Sequence, residues 1–246
     1  MPSSVRPAAN TVADAASVIP SLDAAIEELR AGSRTWSALT LSQRIRLLRS
    51  IRATVATEAE EWALTAARAK GLDLDSPLVG EEWLTGPYAT VVAIDAYIET
   101  LTSLRVGASP LDRLRVNTAP GDRVRVHAFP TSAVDGLLVS GFSGEVWLRP
   151  GVTLADAQRK AGLGQLLPNE SGGVGLVLGA GNITSIPVLD VLYELIAHNR
   201  VSILKINPTQ DPLAPVFGRA LAPLISLGLL RIVQGGGEVG AALTEH

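Results

Sequence analysis

The stretch VGLVLGAGNITSIPVLDVLYELIAHNRVSILKI, residues 174–206, decides the fold of this chain. It begins with a short apolar run, Val174–Leu178, which is typical of a buried strand. A glycine-rich turn follows, and Pro187–Ala197 then has the length and the apolar spacing of a helix. A second apolar run, Val201–Ile206, predicts another strand. Strand, helix and strand in this order predict two parallel strands joined by a right-handed crossover.

The same alternation continues towards the C-terminus. Pro212–Leu224 predicts a helix that stops at Gly228, Leu229–Val233 predicts a strand, and Gly236–His246 predicts the start of a further helix. Residues 151–246 are therefore expected to form a Rossmann-like domain of the order βαβαβα, cut short after its third strand and helix.

The N-terminal part of the chain carries helical patterns. Residues 1–20 are rich in Ala, Ser and Pro, and we expect a loose arm there. Residues 21–121 are expected to be the helical part of the same domain. Apolar residues at helical spacing and their flanking caps predict three helical regions: Ser21–Gly32, Thr40–Lys70 with an internal break and Gly71 as its stop, and Gly80–Leu104 with a kink at Pro87.

Residues 122–150 carry a different pattern. Val124, Val126 and Ala128 alternate with polar residues, which predicts a strand with one solvated face. Val134–Val139 and Glu145–Leu148 are predicted as further strands, so this region is expected to be a small antiparallel hairpin. The fold class is α/β: N-terminal helices lead into an incomplete parallel sheet, with an antiparallel hairpin region between them.

The composition excludes several classes of function. Of the 246 residues, 47% are hydrophobic and 18% are charged, against about 25% charged in ordinary domains. The net charge of −3 disfavours nucleic acid as a partner. With no cysteine and three scattered histidines, no disulfide, metal site or cysteine nucleophile is predicted. Neither a membrane span nor a secretory signal is visible, and we expect a cytoplasmic location. The one dense basic stretch is predicted to be a solvated helix face: Arg44, Arg46, Arg49 and Arg52.

Three segments resemble the aldehyde dehydrogenase superfamily. GLVLGAGNITSIP (175–187) resembles its first strand and the loop that carries its oxyanion asparagine. RVSILKINPT (200–209) resembles its second strand and the lysine that contacts the cofactor ribose. LLRIVQGGGEVGAALTEH (229–246) resembles its third strand and the glycine-rich helix start beside the pyrophosphate. The spacing between Asn182 and Lys205 is the one that the family keeps.

Two N-terminal segments agree with this resemblance. TWSALTLSQRIRLLRSI (35–51) is similar to the family's early helix through Trp36, Arg44 and Leu47, and AARAKG (66–71) is similar to the end of the next helix. The resemblance covers residues 20–246 in the family's order. It is weakest between Ser103 and Asn169.

The resemblance implies an NAD(P)-dependent oxidoreductase that converts a small-molecule aldehyde to an acid or acyl derivative. It implies that Asn182 donates to the oxyanion and that the hairpin at 122–150 is an oligomerisation element. The protein would then be a homo-oligomer, or would lack its C-terminal half. The cofactor is NAD or NADP, and the cofactor-binding residues that the resemblance implies are Leu178, Lys205, Gly236 and Gly240.

Each of these residues also has a purely structural interpretation. Asn182 could cap the helix that begins nearby, and Lys205 could be a solvated strand end. Gly235–Gly237 could be a plain turn, although the free N–H groups of the helix that it opens could also face a phosphate.

The sequence departs from the family in three places. Ala180-Gly181 replaces a Pro-Trp pair that often precedes the asparagine. Pro208 stands where many NAD-preferring members carry a glutamate, which leaves NAD against NADP open. The family's cysteine nucleophile, glutamate base and Gly-Ser turn would lie beyond residue 246, so we expect the chain to be inactive alone. Two alternatives remain: a fragment of the acyl-CoA reductase branch, and a non-catalytic nucleotide-binding or structural subunit.

Overall fold

The structure, a computed structural model, describes residues 15–166 and 172–246. The α-helices are α1 (Ala15–Ala38), α2 (Leu41–Ala69), α3 (Val79–Trp83), α4 (Ala89–Arg105), α5 (Ala133–Leu138), α6 (Leu154–Lys160), α7 (Leu163–Leu166), α8 (Ile186–Ala197), α9 (Ala214–Ala220), α10 (Ala222–Ser226) and α11 (Gly237–Glu245). The strands are β1 (Val116–Ala119), β2 (Arg123–Phe129), β3 (Gly144–Trp147), β4 (Val174–Leu178), β5 (Val201–Lys205) and β6 (Leu230–Val233). None of the helices in these two ranges is both long and apolar enough to cross a membrane.

The parallel sheet that the sequence predicts is confirmed. Its strands lie in the order β4, β5, β6, and both neighbouring pairs are parallel. Leu178 lies opposite Lys205, and Lys205 lies opposite Val233, so the three strands end at one edge of the sheet. All five residues of the central strand β5 are buried, because helices cover it on its faces and strands flank it on its edges.

Helices pack around this sheet in two groups. Helix α1 contacts all three strands and also packs against α11. Helices α8 and α10 contact the strands as well, and α2 and α4 pack against the α8, α9 and α10 group. The core runs through both groups, and the edge of Trp62 meets the ring of Phe217 at a centroid distance of 5.0 Å. The single helix predicted over residues 212–224 is divided into short pieces in the structure. A 3-10 helix, Pro208–Leu213, is followed by α9 and α10. Prolines in this segment prevent one continuous helix.

Helix α2 follows its predicted bounds closely. Thr40 caps it through a capping box, with its hydroxyl accepting from the N–H of Gln43 at 3.3 Å. The helix ends before Gly71, whose φ of +68° suits glycine. The predicted internal break is wrong, because α2 continues unbroken for 29 residues. The kink predicted at Pro87 is a π-helical turn, Leu84–Tyr88, between α3 and α4.

The first predicted helix has the wrong ends. Helix α1 begins at Ala15, inside the expected loose arm, whose residues 1–14 lie outside the described residues. It also continues past Gly32 to Ala38. Gly32 lies inside the helix and against the backbone of Gly228. A Cβ at position 32 would lie 1.8 Å from the Gly228 carbonyl oxygen. Glycine at this position lets α1 approach the turn before β6 at backbone distance.

The prediction of a solvated basic face fails at Arg44. Its side chain is 1% exposed, whereas Arg46, Arg49 and Arg52 are exposed as expected. The Arg44 guanidinium donates to Gln165 Oε1 at 2.8 Å and to the Trp36 carbonyl at 3.0 Å. It also donates to Asn199 Oδ1 at 3.2 Å. Burial lowers the pKa of Arg44 to about 10. This network ties α1, α2 and α7 to the turn before β5.

The antiparallel region is a three-stranded sheet in the order β1, β2, β3. Strands β2 and β3 confirm the predictions around Arg123–Ala128 and Glu145–Leu148, and β1 was not predicted. The predicted strand Val134–Val139 is wrong, because helix α5 occupies Ala133–Leu138. Ser132 starts that helix locally by accepting from the N–H of Asp135 at 3.1 Å. A side-chain cap therefore overrides the apolar alternation.

Candidate functional site

A cavity of about 370 Å³ opens where β4 and β5 end and α11 begins. In open α/β sheets, ligands bind outside the carboxyl ends of the parallel strands. Four of the five predicted site residues meet here: Leu178, Lys205, Gly236 and Gly240. The remaining lining residues are Gly179, Asn207, Gly237, Ala241 and Thr244.

Lys205 is the cation of this cavity. It is the last residue of the central strand, and it is only 8% exposed. Among residues 15–166 and 172–246, the structure records no hydrogen bond or ion pair for its ammonium group. An ammonium without a close partner at the mouth of a cavity favours a ligand that brings oxygen acceptors. The burial of the residue as a whole disfavours the alternative interpretation of Lys205 as a solvated strand end.

Glycines shape the wall opposite Lys205. A Cβ at Gly235, whose φ is +138°, would lie 2.5 Å from the side chain of Val239. Gly236 is the N-cap residue of α11 and has no side chain to cap it. A Cβ at Gly237 or Gly240 would meet nothing within 4 Å, so both residues border open space. The glycines at the start of α11 therefore bring backbone to the cavity wall without side chains of their own.

One carboxylate lies at the rim of this wall. Glu238 Oε1 accepts from the backbone N–H of Gly236 at 3.0 Å. The pKa of Glu238 lies below its usual value, because the backbone N–H groups of Glu238 and Gly236 bond its charged form and Lys205 attracts it. The N–H groups of Gly236 and Glu238 are thus already used within the protein.

Asn182, the fifth predicted site residue, does not line the cavity. It lies exposed on the loop between β4 and α8, at the same end of the sheet. Helix α8 begins at Ile186 with Ser185 at its N-cap position, so Asn182 is not the cap of that helix. The structure records no hydrogen bond between the Asn182 side chain and any described residue, which leaves its amide directed to solvent.

The loop that carries Asn182 is nevertheless held from several sides. Thr209 Oγ1 donates to the Gly181 carbonyl at 2.9 Å, and Gln210 Nε2 donates to the Ile183 carbonyl at 3.2 Å. Trp62 Nε1 donates to the Thr184 hydroxyl at 2.8 Å. The backbone around Asn182 is therefore fixed by the segment after β5 and by α2.

Sequence reasoning missed three polar residues of this site: Asn207 and Thr244, which line the cavity, and Glu238 at its rim. Asn207 follows β5 and starts the 3-10 helix by accepting from the N–H of Thr209 at 3.1 Å. The Asn-Pro pair directly after a predicted strand is a turn signal that could have identified it. The acidic residue in the first turn after the glycine cluster could likewise have identified Glu238.

Other cavities and clusters carry less chemistry. A larger cavity of about 480 Å³ lies beside β6. Its cation, Arg231, already donates to Glu28 Oε2 at 2.6 Å. Within the described ranges, no group of three or more His, Asp or Glu residues could hold a metal ion.

Comparison with known proteins places the fold. No family model matches the chain, and no curated protein matches it. A solved structure described as methylmalonate-semialdehyde dehydrogenase from Sinorhizobium meliloti 1021, complexed with NAD, matches at 16% identity and a TM-score of 0.53, over 93% of this chain and 36% of its own. Bradyrhizobium japonicum proline utilization A matches at 16% identity and 0.53, over 93% of this chain and 18% of its own.

An acetylating aldehyde dehydrogenase from Geobacillus thermoglucosidasius matches at 12% identity and a TM-score of 0.51, over 96% of this chain and 41% of its own. The chain therefore spans less than half the length of each of these structures. At such identities the likeness is one of fold, and at that level it agrees with the resemblance seen in the sequence. The chain has the fold of a part of each of these three structures.

Proposed function

We propose that residues 151–246 form the cofactor-binding part of an NAD(P)-dependent aldehyde dehydrogenase-type oxidoreductase, with the helices of residues 21–121 supporting it. One observation carries the proposal: Lys205, a largely buried residue, and the glycine turn before α11 line a single cavity at the strand ends. When bound, the nicotinamide cofactor supplies the hydride acceptor. The chain's own residues bind and orient it.

The residues present fit such a cofactor. Lys205 can donate to ribose hydroxyls, and backbone N–H groups at the start of α11 can face a phosphate. Gly237 and Gly240 leave the space beside them open, and Leu178 offers an apolar contact. The cavity volume of about 370 Å³ is within the range of ligand pockets, roughly 300–1,000 Å³.

We assign the oxyanion donor to Asn182, as the sequence suggests. Its side-chain amide is exposed at the same end of the sheet, on a loop that hydrogen bonds hold in place. Loss of such a donor typically costs about 10²–10³ in rate. The covalent step needs a thiolate, and no cysteine occurs in these 246 residues. The chain by itself is therefore expected to bind cofactor without oxidising a small-molecule aldehyde or forming an acyl derivative.

Calorimetric titration of the purified chain with NAD and with NADP tests the binding proposal. We expect saturable binding of at least one dinucleotide and no NADH or NADPH formation with short-chain or long-chain aldehydes. Lys205→Met keeps most of the unbranched side chain but removes the charge, and should weaken binding about ten-fold to a hundred-fold, since hydrogen bonds to charged groups contribute about 1.5–3 kcal/mol. Absence of binding by both dinucleotides would contradict the proposal.

A matched pair of glycine variants locates the site. Gly240→Leu should place a bulky side chain at the wall of the cavity that Gly240 lines, at a position where a Cβ has nothing within 4 Å. Gly218→Leu, at a helical glycine of α9 that is equally open, serves as the control. We expect Gly240→Leu to abolish dinucleotide binding and Gly218→Leu to leave it unchanged. Equal binding by the two variants would place the cofactor elsewhere.

We also propose that the antiparallel sheet is the oligomerisation element of a homo-oligomer. Its edge strand β3 contains no buried residue. Phe142 is 71% exposed and Trp147 is 43% exposed beside it. An apolar surface on an edge strand is typical of contact with another chain.

A further inference from the structure

One face of the antiparallel sheet carries more positive than negative charge. Successive side chains of a strand point to opposite faces, so Arg123, Arg125 and His127 of β2 share one face. The sheet register places Trp147 opposite Arg125 and Glu145 opposite His127 on the same side. These five residues form a surface that we call the arginine face.

Among its described residues, the arginine face has one carboxylate for three guanidinium groups. Arg115, just before β1, supplies the third of these groups, and its Nη2 lies 3.2 Å from His127 Nδ1. The carboxylate is that of Glu145, whose Oε2 lies 3.6 Å from Arg125 Nη1. Within residues 15–166 and 172–246, the structure records no ion pair for Arg115 or Arg123. Two of the three guanidinium groups therefore have no acid within ion-pair distance.

This surplus of positive charge works against the fold of the sheet. Arg123 and Arg125 are two residues apart on one side of β2, about 7 Å along the strand, and like charges at that separation repel each other. The side chain of Arg125 is only 28% exposed, and its Nε is buried without a hydrogen-bond partner. Water screens such a group less than a fully exposed one. Carboxylates brought by a partner would offset the repulsion.

We propose that the arginine face binds an acidic, extended segment of a partner protein. Alternate residues of an extended segment are also about 7 Å apart, so carboxylates at alternate positions can pair with Arg123 and Arg125. Arginine suits this partner, because its planar guanidinium group binds carboxylates through charge-assisted hydrogen bonds. The inference goes beyond the proposed function, since no residue of the arginine face lines the cavity at the ends of the parallel strands.

A single-stranded nucleic acid fits this surface less well. Such ligands stack their bases on aromatic side chains, but the guanidinium carbon of Arg123 already lies 5.8 Å from the ring centroid of Trp147. The indole N–H of Trp147 donates to Glu145 Oε2 at 3.2 Å. The net charge of −3 also gives a long polyanion no long-range attraction to the chain. A short acidic segment needs only the local charge of the arginine face.

The test measures the binding of a fluorescein-labelled decapeptide of alternating Glu and Thr, by fluorescence anisotropy at low ionic strength. A decapeptide of alternating Gln and Thr is the uncharged control, and we expect only the acidic peptide to bind. Arg115→Gln/Arg125→Gln should weaken binding about five-fold or more, the combined size of two exposed ion pairs. Arg46→Gln/Arg49→Gln removes two exposed charges from α2 and should leave binding unchanged.

A variant with the opposite expected effect separates charge from folding. Glu145→Gln removes the acid of the arginine face with little change of shape, and should tighten binding about two-fold to five-fold. A misfolded variant would not bind more tightly. Glu60→Gln makes the same charge change at an exposed position of α2, and should leave binding unchanged. Raising the ionic strength should weaken binding of the acidic peptide, because salt screens exposed charges.

Several results would overturn the inference while the proposed function stands. These are equal binding of the two decapeptides, no binding of either, and equal losses in the two double-arginine variants. Tighter binding of a thymidine decanucleotide than of the acidic peptide would also overturn it, in favour of a nucleic-acid partner. Dinucleotide binding should be the same in Arg115→Gln/Arg125→Gln as in the wild type, because the cavity lies elsewhere in the fold.

Discussion

Two three-stranded sheets of this protein differ sharply in their surroundings. In the parallel sheet every residue of β5 is buried, whereas in the antiparallel sheet β3 has no buried residue. The crossovers of parallel strands bring helices onto the sheet, whereas antiparallel strands can leave one face open to solvent. The parallel sheet has a cavity at its strand ends. The antiparallel sheet is left with exposed apolar side chains, Val146 and Trp147 among them.

The largest effect on stability is expected where α1 packs on the parallel sheet. Gly32→Ala would place its Cβ 1.8 Å from the Gly228 carbonyl oxygen, so the backbone must move. We expect the free energy of unfolding to fall by about 3 kcal/mol or more, measured by urea denaturation. Gly80→Ala, in α3 with open space around it, should be slightly stabilising. Similar urea midpoints for the two variants would show that the close approach of Gly32 to Gly228 is unimportant.

A smaller loss should follow from the buried network that joins α1 and α2 to the turn before β5. Arg44→Met leaves the oxygens of Gln165 and Trp36 without their donor, and should lower the free energy of unfolding by about 2 kcal/mol. Arg46→Met, at an exposed position on the same helix, should change it by less than about 0.5 kcal/mol. If Arg44→Met and Arg46→Met lowered the free energy of unfolding equally in chemical denaturation, the buried network would contribute no more to stability than an exposed arginine does.

A substitution on the exposed surface beside the antiparallel sheet should change the oligomeric state and leave the free energy of unfolding almost unchanged. Phe142→Asp changes a side chain that is 71% exposed, so the unfolding free energy should move by less than about 0.5 kcal/mol. We expect sedimentation velocity to show a smaller species than the wild type. Leu78→Asp, 62% exposed and remote from that sheet, is the control and should sediment as the wild type does. If both variants matched the wild type, the antiparallel sheet would not be the interface.

The smallest expected effect concerns the cap of α11. The folded state lowers the pKa of Glu238 through backbone N–H groups, so its ionised form stabilises the fold above the unfolded-state pKa. That contribution is lost as the pH falls through the folded-state pKa. The wild type should therefore be slightly more stable than Glu238→Gln at neutral pH, and the difference in thermal midpoint should vanish at strongly acidic pH. A pH-independent difference would argue against this carboxylate as the cap.

Much of the parallel half was readable from local sequence. Apolar runs such as Val201–Ile206 predict buried strands, and the glycine cluster after Leu229–Val233 predicts the turn into α11. The resemblance implies that Leu178 and Lys205 both bind the cofactor, and the sheet register places them opposite each other. The antiparallel half was less readable, since the cap at Ser132 turned a predicted strand into α5.

The sequence by itself determined the order of strands and helices from residue 174 onwards, because burial and periodicity leave a local imprint, and the resemblance to a known family implied four residues of the cavity. Only the tertiary structure decided that Gly32 is a contact with Gly228, that Arg44 is buried, and that Glu238 faces the field of Lys205. Each of these depends on segments far apart in the chain that meet when the helices pack on the sheet. No local sequence pattern predicts these contacts. In another packing Gly32 would be an ordinary helix end, Arg44 a solvated base and Glu238 a solvated acid.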